Sequence, residues 1–354
     1  MKGYLVMENG RVFTGRLLNN CRMASGEVVF STAMISYQDI ITDPSYYGQI
    51  VVMTYPLVGN VGFNEKSYSS SGAMVKGLVL REATDFPSHY EMEVDLISFL
   101  NKSEIAVLTE VDTRALTREI RNHGIMGGVI TDNVQKINYL REQARKASLE
   151  LKGDLVRYVS RKNVMQFGEG ATRIVFLDLG TKRGGIDSFV RRGCQVFAVP
   201  ADVDSEYIKD LEPDGIVISD GPGDPVTVPY VVKTLKELIG YKPIFGVGLG
   251  HQIIALALGA SIHKLPYGHR GTNHPIKDLE SGRIYISTQN HGYVVEEGSL
   301  ASTEGKVRMI SLNDATVEGI MYEKRSVFSL QFDPEGFPGY SETGIFIDEF
   351  VNRL

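Results

Sequence analysis

The sequence contains a glycine-rich motif, Gly246-Val-Gly-Leu-Gly250, whose spacing is typical of two kinds of chemical site. It follows an apolar run and precedes a helical stretch, as in a nucleophile elbow, where a strained strand-to-helix turn raises the middle side chain above a sheet. The middle residue is Gly248, which has no side chain, so spacing alone favours a structural glycine turn. A dinucleotide fingerprint would need a glycine three positions after Gly248, where His251 stands.

Two further motifs follow apolar runs in the same half of the chain. Asp220-Gly-Pro-Gly-Asp-Pro225 predicts a sharply turned loop. Its backbone N–H groups at Gly221 and Gly223 could bind an anion or an oxyanion, and a plain tight turn is the alternative. Asp333-Pro-Glu335 is the other motif, and an aspartate before a proline is typical of a helix N-cap followed by the first helical residue.

Five of the seven histidines lie between residues 251 and 291, which suggests a metal cluster. Neither an HExxH motif nor paired cysteines accompany them, and His269 and His274 fall in a predicted loop. We therefore expect no metal ion and interpret these side chains as loop histidines bonded to the backbone.

Composition places the chain among ordinary soluble globular proteins. It has 354 residues, 43% of them apolar, a length that suits two or three domains. Its net charge is −6, which disfavours polyanionic partners such as nucleic acids or anionic membranes, because these bind mainly to positively charged proteins. Cys21 and Cys194 cannot form a disulfide framework or a CxxC zinc site. We find neither a secretory signal nor an apolar run long enough to span a membrane, so we expect a cytoplasmic location.

The first 150 residues are predicted to form a domain of mixed strands and helices. The predicted elements are strands on both sides of an Asn9-Gly10 hairpin turn, strands at 27–30 and 49–54, a turn at 43–45, and helices at 95–101 and 113–122. Thr113 is the expected N-cap of the second helix. Residues 151–170 are polar and glycine-bearing, so they are predicted to be a linker.

From residue 171 onward, short apolar runs alternate with helical stretches, which predicts βαβ units and a doubly wound parallel sheet. The predicted elements are strands at 174–178, 195–199, 214–219, 243–247 and 327–332, a helix ending at Arg192, and helices at 231–239 and 251–258. Ligands bind such sheets at the carboxyl ends of the strands, and the glycine-rich and aspartate motifs follow three of these strands.

Over almost its whole length the chain resembles the small, glutaminase subunit of glutamine-dependent carbamoyl-phosphate synthetase. Segments similar to the N-terminal domain of that subunit are 26–30, 37–38, Thr42-Asp-Pro-Ser-Tyr46, Thr54-Tyr-Pro-Leu-Val-Gly-Asn60 and Val111-Asp-Thr-Arg-Ala-Leu-Thr117. Motifs similar to class I (triad) glutamine amidotransferases are 220–225, Gly250-His-Gln252, Gly268-His-Arg-Gly-Thr-Asn-His-Pro275 and Gln289-Asn-His-Gly292. The resemblance thus implies a small-subunit domain at 1–150, a linker at 151–170 and a doubly wound amidotransferase-like domain at 171–354.

The resemblance implies glutamine hydrolysis by a Cys-His-Glu triad and delivery of ammonia to a large synthetase subunit. ATP and Mg²⁺ are then expected on that large subunit, and no cofactor is expected in this chain. The positions that match glutamine-binding residues are Ser45, Gln252, Asn290, Gly292 and Tyr293, and those that match backbone contacts, including part of the oxyanion hole, are Gly221, Gly223 and Leu249.

The triad itself is not matched. Gly248 stands at the nucleophile position and Asp333 at the position of the general-base histidine, so Glu335 alone is retained. Nothing at Gly248 can form a thioester, and loss of such a nucleophile costs on the order of 10⁶ in rate in a comparable triad. Asp333 is a weak base near neutrality and is repelled by Glu335. Cys194 is interpreted as a core residue, and Cys21 lies in the N-terminal half.

Three functional hypotheses follow. The leading one is a small subunit that has lost its glutaminase and serves as the structural or regulatory subunit of an ammonia-using complex, in arginine or pyrimidine synthesis. The second is a non-catalytic sensor that binds L-glutamine. The third is an active glutaminase with a rearranged triad, or an engineered variant.

Overall fold

The computed structural model describes residues 1–19, 21–84, 86–336 and 342–354. The chain divides into two compact units, Met1–Gly153 and Asp154–Leu354. Each unit contains both helices and strands, which agrees with the predicted α/β class.

A closed seven-stranded barrel lies at the centre of the first unit. The strands of this unit are β1 (Lys2–Met7), β2 (Val12–Leu17), β3 (Met23–Ser31), β4 (Gln49–Met53), β5 (Leu57–Val58), β6 (Gly77–Val79), β7 (Glu82–Ala83), β8 (Ala106–Thr109) and β9 (Met126–Thr131). Its helices are α1 (Tyr37–Thr42), α2 (Leu96–Lys102), α3 (Thr113–His123) and α4 (Ile137–Glu150), with short 3-10 turns at Pro44–Tyr46 and Glu65–Ser67. The barrel order is β1-β2-β8-β6-β4-β3-β9, while β5 and β7 pair separately. The predicted hairpin around Asn9-Gly10 is confirmed, because β1 and β2 pair antiparallel across it.

Aspartate side chains cap three helical elements of this unit. Asp43 accepts a hydrogen bond from the Ser45 N–H at the predicted turn, which is a 3-10 helix, and Asp95 caps α2. At α3 the N-cap is Asp112, whose carboxylate accepts from the Ala115 N–H at 2.9 Å. The prediction that Thr113 is the cap was therefore wrong by one residue. Aspartate is at least as good an N-cap as threonine, and Thr113 is already the first helical residue.

The second unit is built on a ten-stranded sheet. Its strands are β10 (Met165–Phe167), β11 (Thr172–Asp178), β12 (Cys194–Pro200), β13 (Gly215–Ile218), β14 (Ile244–Val247), β15 (Ile262–Asp278), β16 (Ile284–Val295), β17 (Lys306–Ser311), β18 (Val317–Tyr322) and β19 (Val327–Leu330). Its helices are α5 (Val156–Val159), α6 (Arg183–Val190), α7 (Ser205–Asp210), α8 (Pro229–Leu238), α9 (Leu249–Ala257) and α10 (Ile345–Val351), with 3-10 turns at Pro225–Thr227, Glu297–Ser302 and Glu323–Arg325.

The sheet order is β10-β12-β11-β13-β14-β19-β18-β17-β15-β16. The five strands from β12 to β19 are parallel to one another, as the alternation of strands and helices predicts. Antiparallel strands extend this parallel part on both sides. The long antiparallel strands β15 and β16 were not predicted, because their residues are largely polar and form no apolar run.

Both faces of the parallel part are covered, as in a doubly wound fold. Val175 and Leu177 of β11 pack in one apolar cluster, which also includes side chains of α8 and α9. Ile174 and Phe176 of the same strand pack in a second cluster, with side chains of α6 and α10. The alternation along β11 therefore fills both faces, and its near-continuous apolar run follows from burial on both sides.

The segment predicted as a linker is partly structured in the second unit. Residues 154–170 include α5 and β10, and β10 pairs antiparallel with β12. Leu155 and Val156 are buried although their neighbours are polar. These two buried side chains anchor the stretch to the second unit. Two apolar residues are too few to show a periodic pattern, so the sequence did not predict this structure.

The parallel strands bring the candidate site together at one edge. Because β11, β13, β14 and β19 are adjacent and parallel, their carboxyl ends lie side by side. Lys182, Asp220, Gly248 and Asp333 each follow one of these ends.

Candidate functional site

Gly248 forms a sharp turn between β14 and α9. Its backbone angles are φ 54° and ψ −112°, a left-handed conformation that favours glycine. The turn is fixed on both sides, since the Gly248 N–H donates to the Leu330 carbonyl at 2.8 Å and the Gln252 N–H donates to the Gly248 carbonyl at 3.3 Å. The backbone thus has the strained strand-to-helix geometry of a nucleophile elbow, which spacing alone left open.

The space where a side chain of residue 248 would stand is filled by Asp220. A Cβ built on Gly248 would lie 2.1 Å from the Asp220 Oδ1 atom and 2.4 Å from its Cγ atom. Contacts this short do not occur between real atoms, so any larger residue at 248 requires Asp220 to move. The elbow therefore has neither a nucleophile nor free space for one.

The Asp220 carboxylate accepts hydrogen bonds from two predicted oxyanion-binding positions. Its Oδ1 atom accepts from the Gly221 N–H at 2.7 Å and from the Leu249 N–H at 3.0 Å. Asp220 itself is 8% exposed. One backbone donor of the loop after β13 and one of α9 therefore bind an anion, and here the anion is a side chain of the same chain. At the third such position, Gly223, a Cβ atom would face Leu155.

Asp333 follows β19 and is held by backbone and side-chain contacts. Its N–H donates to the Thr288 carbonyl at 3.0 Å, in an isolated β-bridge. Its carboxylate accepts a short hydrogen bond from the Lys182 ammonium. The interpretation of Asp333 as a helix N-cap is wrong, because residues 334–335 form a turn and the next described helix is α10.

Lys182 lies between two carboxylates. Its Nζ atom contacts Asp333 and also lies 3.6 Å from Glu335 Oε1, and all three side chains are at most 12% exposed. Burial raises the pKa of Glu335, Lys182 opposes this shift and Asp333 adds to it. The repulsion expected between the two carboxylates is therefore offset by a buried cation, which sequence reasoning missed. The sequence feature that could have indicated Lys182 is its position just after β11, at the same edge of the sheet as the other motifs.

These side chains border one cavity in the second unit. Lys182, Asp220, Asp333 and Glu335 line it together with apolar residues of the sheet and of α6 and α10. The motifs that follow four different strands thus meet at one location. The cavity combines a cation and three carboxylates, one of which, Asp220, also fills the space beside Gly248.

The structure brings Gln252 and Tyr293 together, among the positions matched to glutamine binding. The Gln252 side-chain amide donates to the Tyr293 carbonyl at 2.9 Å and to Gln331 Oε1 at 3.1 Å. Asn290 and Gly292 lie on the same strand, β16, and are half-buried. The Gln331 amide lies 3.5 Å from the Gly248 carbonyl, which connects this group to the elbow.

Ser45 lies in the first unit, in the 3-10 helix Pro44–Tyr46. It is buried, and its N–H donates to the Asp43 carboxylate at 2.8 Å. Ser45 thus belongs to the first unit, whereas the other positions matched to glutamine binding belong to the second.

The prediction that His269 and His274 fall in a loop is wrong, because both lie in strand β15. His269 of β15 stands directly opposite His291 of β16. His269 Nε2 lies 2.8 Å from Asp314 Oδ2, and its Nδ1 lies 3.6 Å from Glu318 Oε1. The interpretation as loop histidines bonded to the backbone is thus wrong for His269, because its partners are carboxylates. It fits His291 in part, whose Nδ1 lies 3.0 Å from the Tyr293 carbonyl.

This cluster is electrostatically coupled. Burial lowers the pKa of His269, but Glu318 and Asp314 outweigh burial and the net pKa is raised. Burial holds the pKa of His291 well below its usual range, and His269 lowers it further. Burial raises the pKa of Glu318. Ligand atoms of His269, His291 and Glu318 lie within 4.8 Å of one another, a donor set that suits a divalent cation. The ion pair between His269 and Glu318 uses atoms of the same set. The expectation that the chain binds no metal ion stays a prediction.

Cys194 is far from the elbow along the sheet. It begins β12 and is paired with Thr172, at the amino ends of the parallel strands, whereas Gly248 follows a carboxyl end. It is 1% exposed, and burial raises the pKa of its thiol. Cys21 lies in the first unit and is half-buried.

Comparison with known proteins agrees with this architecture of two units. Residues 5–130 match the family described as carbamoyl-phosphate synthase small chain, CPSase domain, and residues 175–353 match glutamine amidotransferase class-I. The second unit is thus a class I glutamine amidotransferase fold, joined to a domain found in synthase small chains.

Relatives extend over the whole chain. A carbamoyl phosphate synthase small chain of Oceanobacillus iheyensis is 43% identical over 354 residues, which is 100% of this chain and 96% of the relative. The arginine-specific small chain of Bacillus subtilis is 42% identical and the pyrimidine-specific small chain of Halalkalibacterium halodurans 40% identical, each covering 100% of this chain and 97% of the relative. The chain belongs to the carbamoyl-phosphate synthase small-chain family.

Within the described residues, none of the helices is both long and apolar enough to cross a lipid bilayer.

Proposed function

We propose that this chain is a carbamoyl-phosphate synthase small subunit without glutaminase activity, which serves as the structural or regulatory subunit of an ammonia-using complex. The observation that carries the proposal is the elbow at Gly248, which has no nucleophile. The covalent step of amide hydrolysis by this family needs a thiolate that attacks the amide carbon and forms a thioester. A glycine provides no atom for that bond.

The position of the general base supports the same conclusion. Asp333 is paired with the buried Lys182 ammonium, so its carboxylate already has a cationic partner. A general base must instead be available to accept a proton from the attacking group. Asp333 therefore acts as a structural counter-ion.

Neither cysteine of the chain replaces the missing nucleophile. Cys194 is in the core at the opposite end of the parallel strands, with a thiol that burial makes less acidic. Cys21 belongs to the first unit and follows no motif of the amidotransferase type.

The proposed partner is a large synthetase subunit. The relatives reported above are named small chains, and a small chain implies a large one. In this proposal the large subunit holds ATP and Mg²⁺ and takes up free ammonia, and this chain contributes no cofactor. The relatives include both arginine-specific and pyrimidine-specific chains, so either pathway is a candidate.

The proposal is tested by purifying the complex of this chain with its large subunit and measuring carbamoyl phosphate formation from glutamine and from ammonium. Ammonium should support synthesis, whereas the glutamine-dependent rate should be lower than that of a triad-containing relative by on the order of 10⁶. The large subunit alone is the control for a role of the small chain in stabilising or regulating it. Synthesis from glutamine as fast as from ammonium would refute the proposal.

A glutamine sensor is a second candidate, favoured by the retained group at Gln252, Asn290, Gly292 and Tyr293. Glutamine would bind without being consumed and shift the state of the partner. Titration calorimetry with millimolar glutamine tests this role, and the absence of a binding signal would exclude it.

A further inference from the structure

The Asp220 side chain has the geometry of a ligand in an oxyanion hole. Two N–H groups from different elements, Gly221 in the loop after β13 and Leu249 in the first turn of α9, converge on its Oδ1 atom at 2.7 and 3.0 Å. Donors at about 2.7–3.1 Å from the developing oxyanion are what such a hole provides in acyl transfer. The distances match that requirement, but the acceptor is a residue of the protein.

A carboxylate is a stronger occupant of this position than a substrate amide. The donors include the first residue of α9, and a helix N-terminus favours negative charge. Hydrogen bonds to an ionised acceptor are about twice as strong as those between neutral groups. The carbonyl oxygen of glutamine would have to replace a charged, buried acceptor with a neutral one.

The same contact couples residue 220 to residue 248. A Cβ on Gly248 would lie 2.1 Å from the Asp220 Oδ1 atom and 3.0 Å from its Cβ atom. The Asp220 carboxylate therefore uses the space that the glycine leaves. A cysteine at 248 and the present position of Asp220 exclude each other.

We infer that Asp220 is a specificity-determining residue, whose carboxylate occupies the donors at Gly221 and Leu249 and so excludes the amide carbonyl of glutamine from the reactive position. This inference rests on the proposed function, since it concerns the same altered site. Besides Gly248 and Asp333, it makes Asp220 a third obstacle to glutamine hydrolysis. A cysteine restored at 248 would push the Asp220 carboxylate aside but leave it next to these donors, so restoring the cysteine and the histidine alone is insufficient for rapid hydrolysis.

The contact and its consequence for binding are tested in the full chain with Asp220→Ala, which removes the carboxylate, and Asp220→Asn, which keeps a neutral acceptor of the same shape. Asp224→Ala is the matched control, because Asp224 is in the same loop and accepts instead from the Val226 N–H. Glutamine should bind at least about tenfold more tightly to Asp220→Ala than to the unchanged chain. Asp220→Asn should lie between them, and the control should leave the affinity unchanged.

A direct readout of the contact is the amide proton resonances of Gly221 and Leu249 in chains labelled with ¹⁵N-glycine and ¹⁵N-leucine. Both should move upfield in Asp220→Ala and stay in place in the control. Unmoved resonances would overturn the inference, whether or not glutamine binds. Moved resonances with equal glutamine affinity in all variants would overturn the specificity role.

The third measurement compares glutaminase rates of Gly248→Cys/Asp333→His with the same double variant carrying Asp220→Ala. The triple variant should be faster by about 10² or more, the usual effect of one oxyanion donor. Equal, measurable rates of the double and triple variants would overturn the inference. If both variants are inactive, the amide resonances of Gly221 and Leu249 decide whether the inference holds. Hydrolysis by the unchanged chain would refute the proposed function, while the resonances would still test the contact itself.

Discussion

Replacing Lys182 by methionine is expected to destabilise the second unit strongly. Lys182 is 12% exposed and contacts Asp333 and Glu335, whose side chains are 5% and 12% exposed. Methionine keeps most of the length and apolar volume of lysine, so the change isolates the charge. Two carboxylates would then share a buried site without a cation.

The magnitude follows from the burial of the pair. Removing one partner of a buried ion pair costs about 3–5 kcal/mol. For a unit of about 150–250 residues, each kcal/mol lowers Tm by about 2–4 °C, so the expected fall is roughly 6–20 °C at neutral pH.

The pH dependence has a definite sign. Burial raises the pKa of Glu335 and Lys182 opposes that shift, so the pKa rises further when Lys182 is removed. A carboxyl group with a raised folded pKa binds more protons in the folded state than in the unfolded one. Stability is then highest below the unfolded pKa, about 4.3, and is lost as the pH rises through the folded pKa. The deficit of Lys182→Met should therefore be small near pH 4 and large at pH 7.

Scanning calorimetry from pH 4 to pH 8 measures this deficit. Lys182→Met/Asp333→Asn should regain part of the lost Tm, since it removes one of the two charges. Lys306→Met is the matched control, because Lys306 and its partner Glu323 are 73% and 68% exposed and such surface pairs contribute little. A deficit that is the same at pH 4 and pH 7, or that Asp333→Asn does not reduce, would refute the reasoning.

Three further predictions concern other parts of the chain. Gly248→Ala should lower Tm, because its Cβ would meet Asp220 at a positive φ, and Asp220→Ala in the same chain should recover part of the loss; an unchanged Tm in Gly248→Ala would contradict the geometry. The pKa of His269 is raised by the carboxylates that outweigh its burial, so its contribution to stability is present below pH 6.5 and is lost as the pH rises through the folded pKa. Thermal unfolding of His269→Gln should lack that component, and identical pH profiles would count against it. A thiol reagent should label Cys21 before Cys194, whose thiol is buried and less acidic, and fast labelling of both in the folded chain would show that the core opens.

The parts of the fold that depend on local pattern could be predicted from the sequence. Alternating apolar runs and helical stretches predicted the parallel part of the sheet, and the rule for strand ends predicted that the motifs at 220, 248 and 333 meet. The hairpin at Asn9-Gly10 was predicted for the same reason, since its turn chemistry is encoded in two residues.

The contacts that define the site could not be predicted, because they join distant segments. Lys182 and Asp333 are 151 positions apart, and their pairing depends on the adjacency of strand ends, which a linear pattern does not specify. His269 and His291 face each other only through the register of β15 and β16. Asp220 was recognised as part of a tight loop, but the direction of its carboxylate depends on the empty position at Gly248.

The altered site is internally consistent, and this bears on how it could be reversed. Gly248 removes the strain that a larger residue would have at φ 54°, which costs about 1–3 kcal/mol, and leaves the space that the Asp220 carboxylate fills. Asp333 supplies the counter-charge for Lys182, so a histidine there would place a weaker partner beside a buried ammonium, which also disfavours the protonated ring. Each single reversal thus loses an existing interaction before catalysis can be gained. A site in which strain is relieved and charges are paired is suited to a stable structural subunit, and this is why glutamine hydrolysis should require residues 220, 248 and 333 to change together.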